Sequence, residues 1–75
     1  MAARRLDVRG LEAPEPLERI LAELELMEAG EQLEVTHWRE PLLLYPILDA
    51  RGWRHRTRHD EADDTWLIRI WKGAE

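Results

Sequence analysis

The stretch LDVRGLEAPEP, residues 6–16, decides the fold of this 75-residue chain. Polar and apolar side chains alternate over residues 5–9 and the alternation stops at Gly10, which predicts a short, half-buried strand. The prolines of the stretch suit the first turn of a helix. We therefore predict a helix that begins near Pro14 and stops near Gly30, because apolar residues follow at helical spacing: Leu17, Ile20, Leu21, Leu24 and Met27.

A second strand is predicted at Glu31–His37, where Leu33, Val35 and His37 share one face. Two strands joined by one helix form a βαβ unit, and such crossovers are right-handed in nearly all proteins. The two strands should therefore lie parallel in one sheet, with the helix over one face.

The second half of the chain predicts one short helix and two strands. The apolar residues 42–48 have the length of a short helix, and Pro46 should kink it or move its start toward Tyr45. Alternation over residues 53–59 and 65–71 predicts two strands joined in a hairpin by an acidic connector.

The element order is therefore βαβαββ, which predicts a two-layer α/β (α+β) sandwich. We expect a four-stranded mixed sheet with both helices packed on one face. An apolar content of 44% in 75 residues predicts a single domain over residues 1–75. A chain of this size has a small core, so a homodimer is an expected alternative to a monomer.

The absence of cysteine excludes several classes of function. It removes disulfides, thiolate nucleophiles, persulfide carriers and cysteine-ligated metal sites together. Serine is absent as well, and the sequence places no carboxylate pair in a cleft. We therefore expect no enzyme activity and no cofactor.

The net charge and the distribution of apolar residues predict the partners and the cellular location of the protein. The formal net charge is −5, and residues 1–36 carry four Arg against nine acidic side chains, so nucleic acid is an unexpected partner. The first residues lack the apolar run of a signal peptide, and residues 42–48, the longest apolar run, are far below bilayer length. We expect a cytoplasmic protein with no membrane partner.

Residues 6–16 resemble the signature of the TusA/SirA family of small sulfur carriers. That signature has the form Leu-Asp-x-Arg-Gly-Leu-x-Cys-Pro-x-Pro, and the chain matches its fixed residues at every position but one. Residues 27–31, Met-Glu-Ala-Gly-Glu, are similar to the helix end of the family. The resemblance implies a SirA-like fold over essentially the whole chain.

The one departure from the signature is Ala13, which stands where the family has its cysteine. In the sulfur carriers that cysteine holds a persulfide at the N-terminus of a helix. A methyl group carries no sulfur and the chain has no other cysteine, so sulfur carriage and transfer-RNA thiolation are rejected.

A second signature resembles an uncharacterised, cysteine-less branch of SirA-like domains. That branch has a motif similar to His-Asp-Arg-Glu-Pro followed by Leu-Tyr-Pro; here residues 37–41 are His-Trp-Arg-Glu-Pro and residues 44–46 are Leu-Tyr-Pro. Trp38 departs from the usual Asp. The resemblance brings no biochemical activity, but members occur beside hemerythrin-like and other metal- or redox-associated domains. It implies a redox, metal or nitrogen-oxide context.

The two signatures should meet at the carboxyl edge of the parallel strands, where open α/β sheets usually bind ligands. The candidate site residues are Arg9, Glu15, His37, Arg39 and Glu40. The arginines could bind an anion, and His37 with carboxylates could bind a metal or the loop of a partner. The structural alternative is an Arg–carboxylate network that holds the two loops together.

The basic residues of the second half cluster around the third strand: Arg51, Arg54, Arg56 and Arg58. Arginine near aromatic residues is typical of RNA-binding sheets, but pairing of these arginines with the fourth strand predicts a solvated sheet face instead. His55 and His59 share the other face of the same strand about 13 Å apart, too far to form a metal site within one chain.

Four Trp in a chain without Phe is an unusual composition. Trp66 is predicted in the core, whereas Trp71 and Trp38 fall on partly exposed faces, and exposed Trp is enriched in interface hot spots. We therefore expect a non-catalytic, SirA-like module that binds a protein partner through Trp71, Leu67 and Trp38. The alternative is a small-ligand or metal-binding domain that uses the loops after the first two strands, with His37 as the metal ligand.

Overall fold

Four strands and two helices follow one another in the predicted βαβαββ order in the computed structural model, which describes residues 3–72. The ends of the predicted domain, residues 1–2 and 73–75, lie outside that range. The elements are β1 (Ala3–Asp7), α1 (Glu15–Leu26), β2 (Gln32–His37), α2 (Leu44–Ala50), β3 (Trp53–Asp60) and β4 (Thr65–Lys72).

One mixed sheet holds the strands in the order β1-β2-β4-β3. β1 and β2 are parallel, as the βαβ unit predicts, and the other neighbouring strands are antiparallel. Val35 of central strand β2 lies opposite Ile68 of β4, and Leu33 lies opposite Ile70. These four side chains are almost completely buried and form an apolar strip along the middle of the sheet.

Both helices pack on this strip. α1 contributes Ile20 and Leu24 to the buried cluster, and α2 contributes Leu44 and Leu48. Trp66 packs against the same cluster, as predicted. The two-layer arrangement with both helices on one face is therefore confirmed. Neither helix in the described range has the length and apolar composition needed to cross a membrane.

α1 ends earlier than the sequence predicts. It begins at Glu15, where the proline pattern predicts, but it ends at Leu26 rather than near Gly30. The reason is that Met27 already has an extended backbone, with φ of −79° and ψ of 142°. Gly30, with φ of 88°, instead lies in the turn that leads into β2.

α2 begins at Leu44, which places Pro46 in its first turn. There the missing N–H of proline breaks no helical hydrogen bond. The predicted shift of the helix start toward Tyr45 is confirmed. A consequence is that Leu42 and Leu43 lie ahead of the helix rather than in it.

β1 lies closer to the N-terminus than predicted, at Ala3–Asp7 rather than residues 5–9. The Asp7 carboxylate accepts the backbone N–H of Arg9 at 3.0 Å, which turns the chain out of the strand. Arg9 is therefore a loop residue.

Arg4 ties this edge strand to the helical layer. Its guanidinium forms ion pairs with Glu23 of α1, at 2.8 Å, and with Glu31 in the turn before β2, at 3.1 Å. The Glu31 carboxylate also accepts the Glu28 N–H at 2.8 Å. The hydrogen bonds that Glu31 accepts from the Glu28 N–H and from Arg4 lower the pKa of Glu31. Those that Arg4 donates to Glu23 and Glu31 raise the pKa of Arg4.

We predict that Ile70→Ala lowers the free energy of unfolding by about 2–5 kcal/mol, because the fully buried side chain leaves a cavity between sheet and helices. Leu26→Ala is the matched control, since Leu26 is 64% exposed and its loss should change stability by less than about 0.5 kcal/mol. Urea denaturation followed by tryptophan fluorescence measures both. Equal losses would contradict the assignment of this strip as the core.

Candidate functional site

A groove opens at the carboxyl edge of β1 and β2, where the sequence predicts the site. The backbone N–H of Val8 donates to the Thr36 carbonyl at 2.9 Å, so the loops after the two strands start side by side. The groove has a volume of about 650 Å³ and is lined by residues 10–14, 16, 17, 20 and 37–44. Its walls are the first loop, the start of α1 and the segment between β2 and α2.

Exposed apolar side chains line this groove. Trp38 is 47% exposed, Leu42 is 64% exposed and Leu43 is 79% exposed. In the part of the chain from residue 3 to residue 72, Leu26 is the one other large apolar residue that is similarly exposed. A cluster of large apolar side chains in contact with water is typical of a binding surface.

The turn position of Leu42 and Leu43 follows from the helix start that Pro46 sets, one of the two outcomes that the sequence predicts for residues 42–48. In this turn the Leu44 N–H donates to the Pro41 carbonyl at 3.0 Å. The sequence also allows a kinked helix that includes both leucines. It therefore does not predict whether this apolar pair faces water or the core.

His37 lines the groove but is a buried side chain, 7% exposed. Its Nδ1 atom accepts the backbone N–H of Arg39 at 3.3 Å. A backbone amide can only donate, so Nδ1 carries no proton and the neutral ring carries its proton on Nε2. Burial lowers the pKa of His37 below its ordinary value of 6.5, and the positive charge of Arg39 lowers it further. The geometry therefore favours a neutral ring that holds the second loop.

Arg39 and Glu40 are the polar members of the same loop, and both line the groove. Glu40 accepts a hydrogen bond from the Tyr45 hydroxyl at 3.2 Å, and that hydroxyl lies 2.6 Å from the Thr57 hydroxyl of β3. Burial raises the pKa of Tyr45 above its ordinary value of 10. Tyr45 therefore connects the groove loop to the edge strand β3.

The structure does not bring Arg9 and Glu15 into this groove. Arg9 forms a two-point ion pair with Asp7, with N–O distances of 3.0 and 2.7 Å, and these hydrogen bonds lower the pKa of Asp7 to about 2. Glu15 pairs with Arg19 one helical turn away, at 3.3 Å. Of the five edge residues that the sequence groups together, His37, Arg39 and Glu40 share the groove.

Trp71 lies on the opposite face of the sheet from the helices. It is half-buried and stands opposite Arg54 of β3, on the same face as Leu67. The structure thus separates Trp71 and Leu67 from Trp38, which the sequence interpretation places on one surface.

The histidines do not assemble with carboxylates into a metal site in the described residues, where no three His, Asp or Glu side chains converge. His55 forms a hydrogen bond with Asp49 at 3.0 Å, and His59 forms one with Asp64 at 3.0 Å. The predicted metal ligand His37 therefore has no companion ligands in this range.

Residues 5–72 match the family model described as Uncharacterized conserved protein (DUF2249). A comparison with curated proteins finds no match. Among solved structures, a SirA-like protein from Desulfitobacterium hafniense is similar to this chain, with a TM-score of 0.76 and 21% sequence identity; the match covers 99% of this chain and 100% of the other. At this identity the likeness shows a shared SirA-like fold, which the sequence resemblance implies.

We predict that the stability of the wild-type protein falls on acidification through His37. Because the folded state lowers the pKa of this ring, the unfolded chain takes up a proton first as the pH falls below about 6.5. In His37→Asn the Oδ1 atom takes the place of Nδ1 and can still accept the Arg39 N–H, but it does not titrate, so the loss of stability between about pH 7.5 and 5.5 should be smaller.

Urea denaturation at the two pH values measures this effect, and His55→Gln is the control for removal of a histidine elsewhere. A pH dependence in His37→Asn as steep as that of the wild type would contradict the assignment.

Proposed function

The chain belongs to the family of uncharacterized conserved proteins DUF2249, and we propose that it is a non-catalytic module that binds a protein partner. An apolar segment of that partner would lie in the groove between the loops that follow the first two strands. The observation that carries the proposal is the exposure of Trp38, Leu42 and Leu43 around one groove. Burial of these side chains by a partner would remove apolar surface from water, which is the main driving force of association.

The composition of the groove supports a protein ligand. Protein interfaces typically combine an apolar centre, often with Trp, and a polar rim. Here Trp38 and the two leucines supply the apolar part, and Glu12, Arg39 and Glu40 supply charged groups beside it. A groove of about 650 Å³ is large enough for a few side chains of a peptide segment.

The lack of cysteine and serine supports a binding function rather than a catalytic one. The sequence has neither cysteine nor serine, and Ala13 lines the groove at the place where sulfur carriers have their cysteine. The loop that would present a persulfide in a sulfur carrier thus forms an apolar wall here. The resemblance to the cysteine-less SirA-like branch favours a partner in a redox, metal or nitrogen-oxide context, and the expected setting is the cytoplasm.

The proposal predicts position-specific crosslinking in the cells that make the protein. A photoreactive phenylalanine analogue at position 43 should form a covalent adduct with a partner, because Leu43 lies exposed at the groove. The same analogue at position 26 is the matched control, since Leu26 is a similarly exposed leucine outside the groove lining. Mass spectrometry of the adduct identifies the partner.

Trp38→Ala should reduce the adduct at position 43 by about tenfold or more, as expected for a Trp hot spot, whereas Trp71→Ala on the opposite face should not. An adduct that contains a second copy of the chain would make the groove a dimer interface instead. Equal adducts at both positions, or none at position 43, would contradict the proposal.

A further inference from the structure

The face of the sheet opposite the helices carries a cluster of arginines. Arg54, Arg56 and Arg58 occupy alternate positions of β3, and Arg69 lies beside them on β4; all four are exposed. The β3 arginines pair with β4 on an exposed face of the sheet, as the sequence predicts, and the structure places Arg54 opposite Trp71 and Arg58 opposite Leu67. The face thus combines positive charge with two half-buried apolar side chains.

The centre of this cluster is a repulsive contact. Arg56 and Arg69 are direct cross-strand partners, and like charges in that position destabilise a sheet. Within residues 3–72 no carboxylate lies within 4.0 Å of any of the four arginines. By contrast, the arginines of the first half near β1 and α1 each have a carboxylate partner: Arg4, Arg5, Arg9 and Arg19. On its other side Arg69 stands opposite Glu34 of β2, but that carboxylate pairs with Arg5 at 3.4 Å and forms no ion pair within 4.0 Å with Arg69. The contact between Arg56 and Arg69 is therefore not neutralised by an ion pair in this range.

The shape of the face fits an extended chain. A shallow concavity of about 770 Å³ lies over the sheet and includes Arg56, Arg58, Arg69 and Leu67 in its lining. Alternate residues of a strand are about 6.6–6.8 Å apart. The β3 arginines therefore have the same spacing as the side chains on one face of an extended peptide, and an acidic residue at every second position would meet one guanidinium each.

We propose that this basic face binds an extended, acidic segment of a partner protein. Carboxylates of that segment bind the guanidinium groups of Arg54, Arg56, Arg58 and Arg69. Guanidinium groups bind carboxylates through two parallel hydrogen bonds, and the carboxylate between Arg56 and Arg69 removes their mutual repulsion. Leu67 and Trp71 contact the apolar side chains of the segment. The site lies on the opposite face from the groove, so it is separate from the proposed function.

The charge of the surroundings favours a polypeptide over a nucleic acid. Asp7 and Glu34 line the same concavity, with Glu34 directly opposite Arg69, and the chain has a net charge of −5, so a continuous row of phosphates would meet repulsion beside Arg69. A peptide segment can place carboxylates opposite the arginines alone. Single-stranded nucleic acid also needs several aromatic stacking positions, and this face offers Trp71.

The test uses a short, fluorescently labelled peptide in which glutamate alternates with threonine. Fluorescence anisotropy measures the binding of this peptide to the 75-residue protein at low ionic strength. The control peptide has glutamine in place of glutamate. We expect the glutamate peptide to bind and the glutamine peptide to bind at least about tenfold more weakly, with affinity falling as salt is added. Arg56→Gln/Arg69→Gln should weaken binding by about tenfold or more.

Arg51→Gln is the matched control, because Arg51 is an exposed arginine in the turn before β3 and is not one of the four arginines of the face, so its loss should leave binding unchanged. The double variant should unfold at about the same temperature as the wild type, since it loses a like-charge contact and, with Arg69, the basic cross-strand neighbour of Glu34. This separates a loss of binding from a loss of folding.

Several outcomes would overturn the proposal. One is equal binding of both peptides, and another is unchanged binding in the double variant. A third is binding of a single-stranded oligonucleotide of similar length as tightly as the glutamate peptide, which would make the face a nucleic-acid surface. A change of oligomeric state in the double variant, measured by light scattering, would make a second copy of the chain the occupant.

Discussion

The structure depends on one constraint: a four-stranded sheet has two faces, and this chain supplies helices for one of them. All fully buried apolar side chains of the central strands, such as Val35 and Ile68, therefore point toward α1 and α2. The other face must remain compatible with water, and it does so with arginines and half-buried side chains rather than with a second core. Because α2 is only seven residues long, it also leaves the segment before it uncovered at the edge of the groove.

The elements of this fold could be predicted because their signals are local. Period-two alternation locates β2, β3 and β4 to within about one residue, and the proline positions locate the starts of both helices. The ends are harder, since α1 stops where Met27 becomes extended, and no residue of the helix itself requires that. The βαβ rule then gives the parallel pairing of β1 and β2, and with it the edge at which both loops meet.

The sequence predicts where the candidate site lies in the fold but not which side chains form it. The sequence shows that Arg9 and His37 follow adjacent strands, but the direction of each side chain depends on local hydrogen bonds. Asp7 holds Arg9 in an ion pair two residues away, and the Arg39 amide holds the His37 ring. Trp38 is predicted as a partner-binding residue, but Leu42 and Leu43 are not, for a related reason. An apolar run next to proline has no periodicity that distinguishes a helix face from an exposed turn.

The position of β1 at the edge of the sheet has a consequence for the thermodynamics of the groove. β1 pairs with a single neighbour, β2, and the ion pairs of Arg4 hold it to α1 and to the turn before β2. It also carries the loop that forms one wall of the groove, so a locally unfolded state in which β1 detaches would lose that wall. A ligand in the groove binds only the state with β1 in place, and by mass action it must therefore raise the free energy of that local opening. Slower amide hydrogen exchange in β1 is the signature of this linkage, although no ligand atom would touch the strand.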